Sequence, residues 1–234
     1  IAFGGRALSD DGPKYLNSPE TDLYHKSREL YGLYLARQRS GRLDQVIVVE
    51  GYMDVVALAQ YGFRNSVATS GTATTALQVE ILFRAADSVV FCFDGDAPGR
   101  KAAWRALEAT LPRMQEGLQA KFLFLPEGED PDSMVRKHCA AEFSKQLEEA
   151  TPLSDFFFEH FTNTIDISSL DGRARLVQQA QPHIETMPEG VFRDMMTQRL
   201  ESLAQHRLQT RTQARTGPPG ETRERGKPVQ QRTA

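Results

Sequence analysis

Three groups of carboxylates each stand where a short apolar run stops. Glu50 and Asp54 follow Gln45-Val46-Ile47-Val48-Val49. Asp94 and Asp96 follow Ser88-Val89-Val90-Phe91-Cys92-Phe93, and Glu129, Asp130 and Asp132 follow Lys121-Phe122-Leu123-Phe124-Leu125-Pro126. Carboxylates gathered in one place repel one another unless positive charge sits between them. Oxygen-only donors of this kind suit a hard divalent cation, so the ions expected here are Mg²⁺ or Mn²⁺.

Whether the acids meet depends on the elements that carry them. The apolar runs are β-branched and aromatic, and each is followed by a helical pattern, as in buried parallel strands. In such a sheet ligands bind beyond the carboxyl ends of the strands, which is where all three groups lie. The spacing predicts strands at 46–49, 66–68, 88–93 and 120–125. Helices are predicted over about 24–39, 54–60, 76–86 and 100–114, with a further helix after the acidic loop 127–132. This alternation predicts an α/β fold with a largely parallel, right-handed crossover sheet. After Ala140 no strand signal is found, and helices are predicted over 141–149, 152–162, 171–186 and 189–206, with a boundary near 150.

Each site has a plainer reading beside the functional one. Glu50 and Asp54 could simply complement a helix dipole. Asp94-Gly95-Asp96 could be an Asx turn, although its glycine also permits close approach of a phosphate. A dinucleotide-binding loop is not indicated, because the Gly-x-Gly-x-x-Gly fingerprint is missing. Asp132 is a natural N-cap for the following helix as well as an ion ligand, whereas Asp130 has no such structural reason. Ser70-Gly71-Thr72 opens a helix and could hold a phosphate or merely cap. Arg6, Lys14, Tyr15, Asn17, Lys26 and Arg28 could grip phosphates or stack on a base, or form a solvated surface. Trp104 and Phe156-Phe157-Phe158 read as core packing.

The 234 residues, 40% hydrophobic and 25% charged, suffice for one α/β core and a smaller helical part. No apolar run reaches membrane-spanning length. The chain opens on Ile1-Ala2-Phe3-Gly4-Gly5 as though in mid-fold, without an initiator Met or targeting peptide, so a fragment of a longer protein is expected. Cys92 and Cys139 form no disulfide framework, and the five histidines show no zinc or catalytic spacing, which points to a reducing cytoplasm. The net charge of −3 divides unevenly. Residues 207–234 carry seven basic against two acidic groups, and residues 1–206 carry 21 against 29. The basic end, rich in Arg, Thr, Gln, Gly and Pro, reads as disordered linker.

Taken together, Glu-Gly-Tyr-Met-Asp at 50–54, Asp-Gly-Asp followed by Gly99-Arg100, and Glu-Asp-Pro-Asp at 129–132 resemble the Toprim domain. Phe3-Gly4-Gly5-Arg6-Ala7-Leu8 and Lys14-Tyr15-Leu16-Asn17-Ser18-Pro19-Glu20-Thr21 are similar to the bacterial DnaG-type primases. The resemblance runs from residue 1 to about 160 and more loosely to about 206. It implies four regions: an N-terminal segment (1–45) packing on the core, a Toprim domain (46–150), a helical subdomain (151–206) and a linker (207–234). It also implies synthesis of short RNA primers from NTPs on a single-stranded DNA template. Glu50, Asp54, Asp94, Asp96, Asp130 and Asp132 would hold metal, with Glu50, Asp94 and Asp96 catalytic. Arg6, Lys14, Tyr15, Asn17 and Lys26 would contact nucleotide or template. Zinc belongs to an N-terminal domain outside this chain. The replicative helicase and single-strand-binding protein are expected partners through regions also outside it. A Toprim nuclease or topoisomerase, or a non-catalytic docking module, are the alternatives.

Overall fold

The computed structural model describes residues 2–7, 15–69 and 73–206. Two short strands, β1 (Gly4–Arg6) and β2 (Tyr15–Asn17), pair antiparallel. An irregular stretch then leads to α1 (Leu33–Ser40), β3 (Leu43–Val49), α2 (Tyr52–Gln60) and β4 (Ser66–Ala68). Next come α3 (Ala76–Ala85), β5 (Ala86–Phe93), α4 (Ala97–Thr110), a 3₁₀ turn, β6 (Gln119–Phe124) and α5 (Pro131–Glu148). The remainder is β7 (Thr151–Pro152), α6 (Leu153–Thr162), α7 (Leu170–Glu185) and α8 (Val191–Ala204).

The main sheet has the order β4-β3-β5-β6-β7, parallel throughout except for β7. Successive side chains along a strand point to opposite faces, and both faces here are covered. Val46, Val48, Val89, Phe91, Phe93 and Phe122 face one apolar layer built with α3, α4 and α6–α8. Ile47, Val49, Val90, Cys92 and Leu123 face the other, built with α2 and α5. This explains why the strands read as unbroken apolar runs and why their polar residues collect at the ends.

Three expectations about elements need correction. The helix predicted over 24–39 is confined to Leu33–Ser40. Gly32, at φ +86°, breaks it, and Tyr31 instead bridges Ala68 through backbone bonds of 2.9 and 3.0 Å. The irregular stretch thereby covers the exposed edge of β4. It is pinned by Gln78, fully buried, whose amide donates to the carbonyls of Lys26 (2.9 Å) and Glu29 (3.0 Å). Second, β7 adds a strand signal after Ala140, since Thr151 and Pro152 pair with Phe122 and Lys121. Third, helix is continuous from Pro131 to Glu148 except at Cys139, whose φ of 67° kinks it. Among the described residues no helix is long and apolar enough to cross a membrane.

Beyond β7, α6 lays Phe156, Phe157, Phe158 and Phe161 into the same apolar layer as β5 and β6. Phe122 meets Phe156 with ring centroids 4.8 Å apart, and Trp104 on α4 stacks on Phe157 at 6.1 Å. Burying each phenylalanine contributes about 1.5–3 kcal/mol. The packing role read for these residues is the one observed. Residues 207–234, expected as linker, lie outside the described residues.

Candidate active site

β3, β5 and β6 are adjacent and parallel, so the residues that follow them leave the sheet at one edge. Glu50 follows β3 directly. Asp54 sits in the first turn of α2, where its carboxylate accepts the Gly51 N–H at 3.2 Å. Asp94 directly follows β5, and Asp96 caps α4 by accepting the Gly99 N–H at 2.7 Å. Gly95 is glycine for a reason other than room for a phosphate: a Cβ there would lie 2.1 Å from the Leu125 carbonyl oxygen. One at Gly99 would lie 2.2 Å from the Asp94 carbonyl oxygen.

The third cluster corrects the expectation about capping. Asp130, not Asp132, is the N-cap of α5: its side chain accepts the Ser133 N–H at 2.7 Å, and its own N–H donates to the Ser133 hydroxyl at 2.9 Å. Asp132 instead pairs with Arg136 one turn on, at 2.5 Å. Glu129 takes Lys137 at 2.9 Å and also accepts from the Ser133 hydroxyl. Each cap engages one carboxylate oxygen, so Asp96 and Asp130 each keep a second oxygen. Three helix N-termini, those of α2, α4 and α5, thus present acids at one edge, where their dipoles favour negative charge.

That favour is insufficient to relax the acids. Burial pushes the Asp54 carboxyl up to about 7, with Asp130, Asp94 and Asp132 adding to the rise and only the Gly51 N–H opposing it. Glu50 is exposed as a residue, yet loss of water around its carboxyl raises its pKa, followed by Asp94 and Asp96. Asp94 is raised by burial, then by Asp96 and Asp130. The buried Cys92 thiol, behind this edge, is also pushed up, by burial first and then by Asp94, Asp54 and Glu50. Among the described residues no cation opposes the rise at Glu50, Asp54 or Asp94. The structure therefore brings Glu50, Asp54, Asp94, Asp96, Asp130 and Asp132 within one another's fields.

A hard divalent cation fits this set in chemistry: every donor is a carboxylate oxygen, and among the described residues Glu50, Asp54 and Asp94 have no compensating charge. Among the described residues no three His, Cys, Asp or Glu side chains are placed so as to enclose an ion together. Asp54, Asp96 and Asp130 each spend one carboxylate oxygen on a backbone N–H.

The expected nucleotide-contacting residues are only partly located. Asn17 pairs with Gly4 across the β1–β2 hairpin, and a Cβ on Gly4 would meet both Asn17 Oδ1 and the Tyr52 ring at 3.1 Å. The hairpin thus rests on Tyr52, two residues after Glu50. Arg6 is exposed on the same hairpin, opposite Tyr15. Lys26 lies in the irregular stretch, its backbone N–H on Glu20 at 3.1 Å. Lys14, Ser70-Gly71-Thr72 and the Tyr15 side chain lie outside the described residues. Sequence reasoning missed two features. Tyr31 and Tyr52 form a tilted ring pair at 5.7 Å, and Arg100 covers Phe124 at 4.9 Å. Tyr52 lies inside the acidic motif and could have been singled out as an aromatic beside a carboxylate. Tyr31 carried no signal, because its partner is 21 residues away.

A family model described as Toprim-like matches residues 47–135. One for the N-terminal domain of the DNA primase catalytic core matches 1–37. A third, the DnaB-helicase binding domain of primase, matches 154–205, inside the chain and against the expectation that the helicase-contacting region lies wholly outside it. A DNA primase of Pseudomonas putida is 56% identical over 204 residues, covering 87% of this chain and 31% of the relative. The solved E. coli primase catalytic core superposes with a TM-score of 0.86 at 52% identity, covering 88% of this chain and 66% of that one. A DnaG primase catalytic domain bound to ssDNA superposes with a TM-score of 0.85 at 51% identity, covering 88% and 65%. The chain spans about a third of the length of the curated relatives it matches.

Proposed function

The chain belongs to the bacterial DnaG-type DNA primase family, and from that premise we propose that it is the Toprim and helical part of an enzyme making short RNA primers. The template is single-stranded DNA and the building blocks are NTPs. One observation carries the reading: Glu50, Asp54 and Asp94 are raised first by burial and then by neighbouring carboxylates at the same sheet edge, and among the described residues no cation opposes the rise. Relatives named DNA primase favour it over the nuclease, topoisomerase and docking-module alternatives.

The reaction forms a bond between the primer 3′-oxygen and the α-phosphorus of the incoming NTP, and the bond from that phosphorus to the bridging oxygen of pyrophosphate breaks. Mg²⁺ or Mn²⁺, when bound, supplies Lewis acidity that lowers the hydroxyl pKa and offsets charge on the phosphate oxygens. Glu50, Asp54, Asp94, Asp96, Asp130 and Asp132 would hold it. Glu50, its pKa raised by burial and then by Asp94 and Asp96, is exposed as a residue and suited to relay the proton of the attacking hydroxyl. Arg6, Lys14 and Lys26 steady the phosphates, and Tyr15 and Asn17 contact base or sugar. These roles are supported by motif position, and for Asn17 by its place beside Tyr52.

The match at 154–205 supports a contact between α6–α8 and the replicative helicase, and the ssDNA-bound relative supports the template. A contact with single-strand-binding protein, a cytoplasmic location and the division of the chain at about residue 150 belong to the same proposal. Replacing Asp94 by Ala in the full-length protein tests it. Primer synthesis should fall on the order of a thousandfold. Near-normal synthesis would dismiss the assignment.

A further inference from the structure

Apart from the acidic edge, two cavities share part of their lining. The first, about 400 Å³, is lined by Asn17, Tyr31, Tyr52 and Met53, the last two on the first turn of the helix that follows Glu50. The second, about 600 Å³, lies between α1 and α3, with Leu33 and Ile81 in its lining and Arg28, Tyr34, Arg37 and Gln38 around them. Glu29 and Leu30 line both, so the two cavities adjoin at that residue pair. Nothing in the acidic centre uses the second cavity.

Its chemistry is cationic and aromatic. Arg28 and Arg37 are exposed, and among the described residues neither has an ion pair or side-chain hydrogen bond. Tyr34 is 76% exposed between them in sequence. Surface arginines usually pair or lie along apolar surface; two unpaired guanidiniums with an uncovered phenol ring suit a polyanion that also carries flat faces. Glu29 is the one carboxylate in the lining, at the partition, so an anionic strand would pass on the arginine side.

We propose that this second cavity is a track for the single-stranded DNA template, continuing from the acidic centre past Tyr52 and Tyr31. Arg28 and Arg37 take its phosphates and a base stacks on Tyr34. The inference rests on the primer-synthesis reading. Template is favoured over primer because a nascent primer ends at the acidic centre and is short, whereas the template must continue beyond it.

The test uses the 234-residue chain and a fluorescein-labelled single-stranded oligodeoxynucleotide, with anisotropy followed across a salt series. Replacing both arginines, Arg28→Ser with Arg37→Ser, should weaken binding about tenfold or more at low salt. It should also flatten the slope of log K against log salt by about 1.4, two phosphates at about 0.7 each. Tyr34→Ala should weaken binding about tenfold and leave that slope unchanged. All three positions are exposed, and thermal melting of the variants should match the unaltered chain. If the unaltered chain binds and both variants bind equally well with the same slope, the track is refuted while the priming reading stands. If the unaltered chain shows no salt-dependent binding at all, the priming reading itself falls. Losses seen only with an RNA oligonucleotide of the same sequence would assign the cavity to the primer and overturn the template claim.

Discussion

The carboxyl edge of the sheet and its flank against α6 are built from opposite materials. At the edge, among the described residues, Glu50, Asp54 and Asp94 crowd without a counter-charge, and burial pushes Asp54 up to about 7. At the flank, Phe156, Phe157, Phe158 and Phe161 close on Trp104 and Phe122 with little water left. The first region works against the stability of the fold, and the second supplies the apolar burial that offsets it. The two also answer acid oppositely. Burial pushes His160 on α6 down, aided by His183 from α7 and opposed by Glu108 from α4, so acid should loosen the seam while it relaxes the edge.

The largest effect should come from the seam. Phe157→Ala removes a side chain with no exposed surface and should cost about 3–5 kcal/mol in a chemical denaturation curve. A loss below about 1 kcal/mol would mean that α6–α8 add little to the core. Next in size is Asp94→Ala. Its activity loss on the order of a thousandfold equals about 4 kcal/mol of barrier, yet metal-free thermal stability should hold or rise, because a repelling charge has gone. Destabilisation of the metal-free protein would break the contrast between the regions.

The pH profile sharpens it further. Asp54 keeps its proton in the folded state up to about pH 7, but releases it near 3.8 when unfolded. Between those values the folded state binds more protons, so stability falls as pH rises through the window. Glu50 and Asp94 act in the same direction. In chelator, the melting temperature should therefore decline from pH 4 to 7, Asp54→Asn should flatten the decline, and added Mg²⁺ should restore stability most above pH 7. An unchanged slope in Asp54→Asn would remove Asp54 from the cluster. The smallest effect is optical. His160 stacks on Trp104, the only tryptophan, at 3.8 Å. Protonation below its ordinary value of 6.5 should quench Trp104 fluorescence, with a midpoint lowered by burial. His160→Phe should abolish that transition, and the unaltered protein's failure to show it would contradict the stacking.

Much of this was readable in advance, for identifiable reasons. Strands covered on both faces need unbroken apolar runs, so β3, β5 and β6 and the acids after them stand out. The helix predicted over 24–39 misled because Leu30, Leu33 and Tyr34 have helical spacing, while burial of Leu30 comes from a loop held by Gln78. Only tertiary structure reveals that bond. β7, at two residues, is too short to leave a periodic trace. The cap of α5 could have been read correctly: proline favours the first helical position, so Pro131 makes the preceding Asp130 the cap. Tyr31 beside Tyr52, and the arginine-lined cavity beyond, depend on long-range contacts that no local pattern encodes.

The contact between Gly95 and the Leu125 carbonyl oxygen means that main-chain atoms gauge the spacing of two acid-bearing loops. Swapping one acidic side chain for another leaves that gauge intact, whereas a single added methyl at Gly95 would wedge the loops apart. A protein still holding every carboxylate would then be as inert as one missing an aspartate, so the residue least able to do chemistry here is among the least replaceable.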